Sequence, residues 1–299
     1  MDARGYVVDH RLVSLGTRSE SYRETPVGVN AYDSADGYAA AFVLALHEAY
    51  RASPARQRLA AYGSGLRKAV SVLRRLQDPA DGLLWNLPPS ADRPGDDRPR
   101  VKLLMDAAEA YAALRAAASL AVVLSDRDLQ VAASSAADAL KSGVAVLWDG
   151  AATAYAWAKH EDGTLTTSDW RVWYPDAVAQ TWTVAVGGSL SPDDPLVGAA
   201  RSTTLVSKFT TFWPEWSDPG YAPPASGDRS AGTQSGRLEY HPLLGAAFAM
   251  TVPSRAREGL TGVEAIDAYA VSHDRPWPFT IGNAGQIALL LDGSLRRGS

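Results

Sequence analysis

The chain has no cysteine among its 299 residues. That excludes disulfides, thiolate metal sites and cysteine nucleophiles, and leaves the redox compartment open. Net charge is also scarce: 29 Lys and Arg against 33 Asp and Glu give −4 at pH 7, with 21% of residues charged. Such a balance excludes a disordered polyelectrolyte and argues against nucleic acid as a partner. The basic residues are scattered, with only short clusters such as Arg74-Arg75 and Arg296-Arg297. No apolar run approaches the length that crossing a bilayer requires, so no membrane span is expected. The first residues, Met1-Asp2-Ala3-Arg4-Gly5-Tyr6, lack the charged-then-apolar pattern of a signal peptide. The location stays open: secreted or periplasmic if a signal peptide was removed, otherwise cytoplasmic.

Several chemical motifs are missing as well. There is no G-x-S-x-G; Gly63-Ser64-Gly65 lies inside a helical stretch and lacks the preceding strand. No glycine loop ends in Lys-Ser or Lys-Thr, as a phosphate cradle would. The five histidines, His10, His47, His160, His241 and His273, show no metal-ligand spacing. Asp92 to Asp97 offers too few ligands, wrongly spaced, for a calcium loop. No metal and no cofactor is expected.

What the chain does have is a 46% hydrophobic content and an unusual aromatic balance, nine Trp and twelve Tyr against five Phe. Aromatics with a polar edge suit wet binding surfaces, whereas a dry core would accept Phe equally well. Helical periodicity starts near Ser34, where Tyr38, Phe42, Ala45, Leu46 and Ala49 recur at three- and four-residue spacing. Further helices are expected from Ser53-Pro54 to about Gln77, Lys102 to Leu124 and Ser125 to about Trp148. Others begin near Pro175 and near Pro192, the latter ending before Trp213-Pro214. The last three cover roughly Pro242 to Val252, Ser254 to Ser272 and Asn283 to Asp292. Residues 1–31 read as an extended lead-in, and the stretch from Ala154 to Thr167 as a β-hairpin around a His160–Gly163 turn. Pro214 to Arg237 reads as a long loop.

Two helices, an excursion and two more helices recur with a period of roughly 70 residues. Helix pairs arranged this way stack into a solenoid or close into a toroid of inner and outer helices. The odd-numbered helices are uniformly apolar, as an inner ring requires, while the even-numbered ones carry Arg56, Arg58, Arg67, Lys68, Arg74 and Arg75. The fold class expected is therefore all-α, a single-domain (α/α) toroid over 1–299 with a small β-hairpin. Nine helices fall short of the twelve of a full ring.

Acidic residues gather where irregular stretches turn into apolar helices. Asp33 and Asp36 follow Tyr32; Asp106 follows Lys102 by four residues; Asp176 follows Trp173-Tyr174-Pro175; Glu239 precedes Tyr240-His241-Pro242. Capping alone places acids there, because they satisfy unpaired N–H groups and the helix dipole. Capping does not ask for the accompanying aromatics, nor for the acids to fall on alternate helices. Gln180 lies four residues beyond Asp176, on the same helical face. Cleaving a glycosidic bond needs one carboxylic acid to protonate the leaving oxygen and one carboxylate to activate water or attack. Asp36, Asp106, Asp176 and Glu239 are the candidate catalytic acids. Tyr32, Asp33, Trp85, Lys102, Trp170, Trp173, Gln180, Tyr240 and His241 are the candidate sugar-binding residues.

From Tyr32 onward these features resemble the six-hairpin (α/α)-toroid glycosidase superfamily. Asp33-Ser34-Ala35-Asp36-Gly37-Tyr38-Ala39 is similar to the aspartate signature of glycoside hydrolase family 8, although its aspartates are three apart instead of two. Met105-Asp106-Ala107-Ala108-Glu109-Ala110-Tyr111 looks like an inner-helix start of the unsaturated glucuronyl hydrolases, where an aspartate is the acid/base. The resemblance implies a glycoside hydrolase acting on a bacterial poly- or oligosaccharide. A polysaccharide lyase with Lys102 or Arg171 facing a uronate, or a non-catalytic carbohydrate-binding protein, are the other readings.

Overall fold

The structure is a computed structural model that describes residues 4–7, 10–14, 22–26, 34–189 and 193–216. The expected helices beyond Pro242 lie outside them, as do Tyr32, Asp33, Glu239, Tyr240 and His241. Among the described residues are seven α-helices: α1 (Ala35–Ala52), α2 (Arg56–Ala61), α3 (Gly63–Leu76), α4 (Leu104–Leu124), α5 (Arg127–Ala145), α6 (Val178–Ser189) and α7 (Ala199–Trp216). The strands are short: β1 (His10–Ser14), β2 (Tyr22–Pro26), β3 (Val101–Leu103), β4 (Trp148–Asp149), β5 (Ala154–Tyr155), β6 (Ala158–His160) and β7 (Leu165–Thr166). The fold is thus helix-rich with small sheets.

The chain divides into two compact units. The first holds residues 1–148, 158–166 and 186–196; the second holds 149–157, 167–185 and 197 onward.

In the first unit, α4 packs between α1 and α5, and α3 lies against α1. Thirteen of the 21 residues of α4 are buried, on all sides of the helix, and eight of the thirteen are Ala, which lets neighbouring backbones come close. By length and composition α4 would also serve as a membrane span, contrary to the reading that no run was long enough. Here it is a core helix. Two residues join α4 to α5, so the pair is an antiparallel hairpin. Ser125 makes the turn in the left-handed conformation, and Asp126 caps α5 by accepting the Leu129 N–H. α3 buries one stripe, Leu66, Ala69, Val70, Val72, Leu73 and Leu76, and turns Arg67, Lys68, Arg74 and Arg75 outward.

The helix expected from Ser53 to Gln77 is two helices. Pro54 forces Ser53 into an extended conformation (φ −147°, ψ 82°), so Ser53 ends α1 instead of starting a helix. A second break falls at Tyr62, ahead of the flexible Gly63-Ser64-Gly65. The hairpin of β6 and β7 forms around the expected turn. It gains a third strand, since β3 pairs antiparallel with β6 in the register Val101↔His160, Lys102↔Lys159, Leu103↔Ala158. Lys102 is therefore in a strand, and helix α4 starts two residues later than its sequence indicated. In the lead-in, β1 and β2 pair antiparallel, His10 with Pro26 through Ser14 with Tyr22.

In the second unit, α7 carries through Trp213-Pro214 to Trp216, past the expected end. A proline near the last turn disturbs only the bonds of the turn before it, so the helix survives. Phe209 and Trp213 pack ring on ring at 5.3 Å, and Trp170 stacks on Phe212 at 6.4 Å. Among the described residues of that unit, this aromatic layer with buried Tyr155 and Trp173 forms the core.

Candidate functional site

In the first unit, one asparagine brings two helix starts together. The Asn86 carbonyl accepts the Ala35 N–H at 2.6 Å, at the first residue of α1. The same asparagine donates its N–H to the Val101 carbonyl and accepts the Val101 N–H on its side chain, both at 2.9 Å. Val101 opens β3, which runs directly into α4. The first turns of α1 and α4, which carry Asp36 and Asp106, are thereby neighbours.

Ser34 caps α1 and sits between the two acids. Its Oγ is 2.6 Å from Asp36 Oδ1 and 2.6 Å from Asp106 Oδ2. The Gly37 N–H is directed at both Ser34 Oγ (3.2 Å) and Asp36 Oδ1 (2.9 Å). Asp36 is 1% exposed and Asp106 6%. The second oxygen of Asp36 is buried and has no hydrogen-bond partner among the described residues. A side chain at Gly37 would put its Cβ 2.9 Å from Ser34 Oγ, so glycine keeps the cluster open.

The serine hydroxyl has one hydrogen for two oxygen–oxygen contacts of 2.6 Å, an arrangement that a proton shared by the two carboxyls would complete. Burial pushes the Asp36 carboxyl well above the usual carboxylate range, and the Asp106 charge pushes it further, against the bonds from Ser34 and Gly37. Both effects favour the protonated form of Asp36.

The sign of this shift makes a stability prediction. Because its pKa is raised, folded Asp36 keeps a proton that the unfolded chain releases near pH 3.8. Folding therefore becomes less favourable as pH rises from that value toward the folded-state pKa. Asp36→Asn keeps a neutral side chain of the same shape and removes this titration. Urea unfolding at intervals between pH 5 and 8 should give a flatter stability profile for Asp36→Asn than for the wild type. Parallel profiles would show that Asp36 is ionised in the fold.

The other candidates fall into separate groups. Lys102, 3% exposed, donates to Asp78 (2.7 Å) and to both oxygens of Asp81 (2.9 and 2.8 Å). Its ammonium and the Arg100 guanidinium lie over the Trp85 ring, 4.2 and 4.4 Å from its centroid. In the second unit, Asp176 is fully buried in the wide turn Trp173–Ala177 that leads into α6, and accepts the Asp169 N–H at 2.8 Å. Gln180 accepts the Tyr155 N–H (2.8 Å) and donates to the Tyr155 carbonyl (3.1 Å) and Ser168 Oγ (2.8 Å), which fixes the 155–168 segment. Trp170 and Trp173 are buried beside it. Ser34 and Asn86 were not singled out from sequence. A serine at a helix cap is a visible signal, but nothing marks its bond to an acid 72 residues away.

No protein family matches the chain, and no curated protein does. Among solved structures, the fold is similar to that of a glycosidase. One match is the GH78 family rhamnosidase of Bacillus sp. GL1, with a TM-score of 0.54 at 19% identity. It covers 85% of this chain and 23% of the rhamnosidase, so this chain spans about a quarter of that protein's length.

Proposed function

We propose that the chain is a carbohydrate-active enzyme, a glycoside hydrolase acting on a poly- or oligosaccharide, with its acid chemistry at Asp36 and Asp106. The observation that carries this reading is the buried pair of carboxyls joined through Ser34 Oγ, 2.6 Å from an oxygen of each. A glycosidase acid must be protonated where a free carboxyl would be ionised, and burial next to a like charge achieves that. Asp106 is the more exposed of the two and is the proposed proton donor to the glycosidic oxygen, with Asp36 behind it. Asp176, Glu239, Trp170, Trp173, Tyr240 and His241 remain candidates on sequence grounds alone. The fold likeness to a rhamnosidase supports the class of reaction. The antiparallel α4–α5 hairpin is in keeping with the (α/α) toroid, which belongs to the same proposal.

The shielding of both acids favours one other reading, a non-catalytic carbohydrate-binding protein. The lyase reading has less support, because the Lys102 ammonium is shielded and bound by Asp78 and Asp81; Arg171 pairs with Asp169 at the surface.

The test is a screen of 4-nitrophenyl glycosides, α-rhamnoside included, and of neutral and acidic polysaccharides, read by nitrophenol or reducing-end release. Asp106→Asn should lower kcat by about 10²–10⁴-fold, the usual weight of a general acid. Sugar binding that Asp106→Asn leaves intact, in a wild-type protein that releases nothing, would establish the binding protein instead.

A further inference from the structure

We propose that Ser34 is a positioning residue that passes the shared proton from Asp36 to Asp106, so that Asp36 stores the proton Asp106 delivers. The inference rests on the hydrolase reading above. In the step, the O–H bond at Asp36 Oδ1 breaks as one forms at Ser34 Oγ. The hydrogen already on Ser34 Oγ moves to Asp106 Oδ2. Asp36 ends as a carboxylate, Asp106 as an acid and the serine as a hydroxyl again, with the total charge unchanged.

Three observations point this way. The hydroxyl is 2.6 Å from one oxygen of each acid, the spacing of strong O–H···O⁻ bonds. Asp36 Oδ2 is buried without a partner among the described residues, a position that costs a carboxylate more than a neutral acid, so the proton rests on Asp36 before it is passed on. The Gly37 N–H reaches Asp36 Oδ1 and Ser34 Oγ, so it can stabilise the negative charge once Asp36 has given its proton up. Among the described residues, these are the titratable groups around the pair. On α4 they are Asp106 and Glu109, whose Oε2 would lie 3.8 Å from a Cβ at Gly37. Asn86, against the start of α1, is neutral, and α3 turns its cations to solvent.

Ser34 also caps α1, so the test must separate capping from relay. Ser34→Thr keeps both the cap and the hydroxyl; Ser34→Asn keeps a capping oxygen and loses the hydroxyl. Infrared spectra of the full chain at pH 7 should show the carbonyl stretch of a protonated carboxyl in the wild type and Ser34→Thr. The band should be lost in Asp36→Asn and displaced in Ser34→Asn. On 4-nitrophenyl and methyl α-rhamnosides, Ser34→Asn should lower kcat by about 10–100-fold with KM unchanged and move the basic limb of the pH profile, while Ser34→Thr stays near wild type. The methyl glycoside, with the poorer leaving group, should suffer more. A wild-type spectrum without the acid band, or equal kinetics in Ser34→Asn and Ser34→Thr, overturns the relay. A band that shifts in Ser34→Asn, in a protein that cleaves nothing in the screen, upholds the shared proton and overturns the hydrolase reading instead.

Discussion

Lys102→Met is expected to lower the unfolding free energy by about 3–4 kcal/mol at pH 7, within the range for removing one partner of a buried ion pair. The ammonium is shielded from water and placed between Asp78 and Asp81, whose side chains are themselves 23% and 13% exposed. Methionine fills nearly the same volume, so packing is kept and the loss is electrostatic. Lys159 still reaches Asp81 at 2.8 Å, which is why the loss stays at the lower end of that range. The acid limb gives a second readout. The hydrogen bond from Lys102 holds the Asp78 carboxyl below its ordinary value; burial would raise Asp81, but the bonds of Lys102 and Lys159 together hold it down as well. Depressed carboxylates add stability above their unfolded pKa that is lost as pH falls through the folded value. Wild-type stability should therefore drop on going below about pH 4, and Lys102→Met should show a shallower drop. Urea unfolding at pH 7 and pH 3 measures both. A loss under about 1 kcal/mol would mean that water already screens the pair as it does on a surface.

The same lysine shows what a sequence carries and what it withholds. The helix cores were legible because they rest on local pattern: the start of α1 near Ser34, the end of α4 at Leu124 and the start of α5 just after Ser125 all read correctly. Asp36 and Asp106 could be picked out because an acid in the first turn of an apolar helix is visible in one dimension. Their meeting was not legible. It depends on Asn86 tying the start of α1 to β3, and β3 in turn depends on pairing with β6, some 57 residues on. Lys102 looked like a cation for substrate because its partners are more than twenty residues away. Gln180 was placed on the face of Asp176 by spacing, yet the carbonyl and amide groups it serves belong to Tyr155 and Ser168. Local rules place a side chain on a face; only tertiary pairing says which groups share that face.

The turn that holds Lys102's partners is also where glycine has no substitute. Gly82 has φ +77°, and a Cβ there would stand 2.3 Å from the Ala139 carbonyl oxygen on α5. Gly143, on the same helix, would put a Cβ 2.3 Å from the Asp81 carbonyl oxygen and 3.1 Å from Leu83. The two glycines let turn and helix backbones touch, and Gln77 seals the contact by donating to Gly82 O (2.8 Å) and Ala136 O (2.9 Å). Alanine at 82 meets both a left-handed backbone, about 1–2 kcal/mol, and an overpacked contact, about 1–3 kcal/mol. Gly82→Ala should therefore lose about 3 kcal/mol and Gly143→Ala about 2 kcal/mol, the second through overpacking alone. Once either side chain has pushed the turn off α5, the other meets less resistance, so the double variant should lose clearly less than the sum. Additive losses in urea unfolding would mean that the two substitutions strain separate places. The displacement should also travel along the chain. The turn leads through Leu84 and Trp85 to Asn86, and Asn86 sets the Ala35 end of α1. Gly82→Ala should thus loosen the Ser34–Asp36–Asp106 contact and flatten the pH profile of stability toward that of Asp36→Asn, whereas a surface alanine such as Ser71→Ala should leave the profile unchanged.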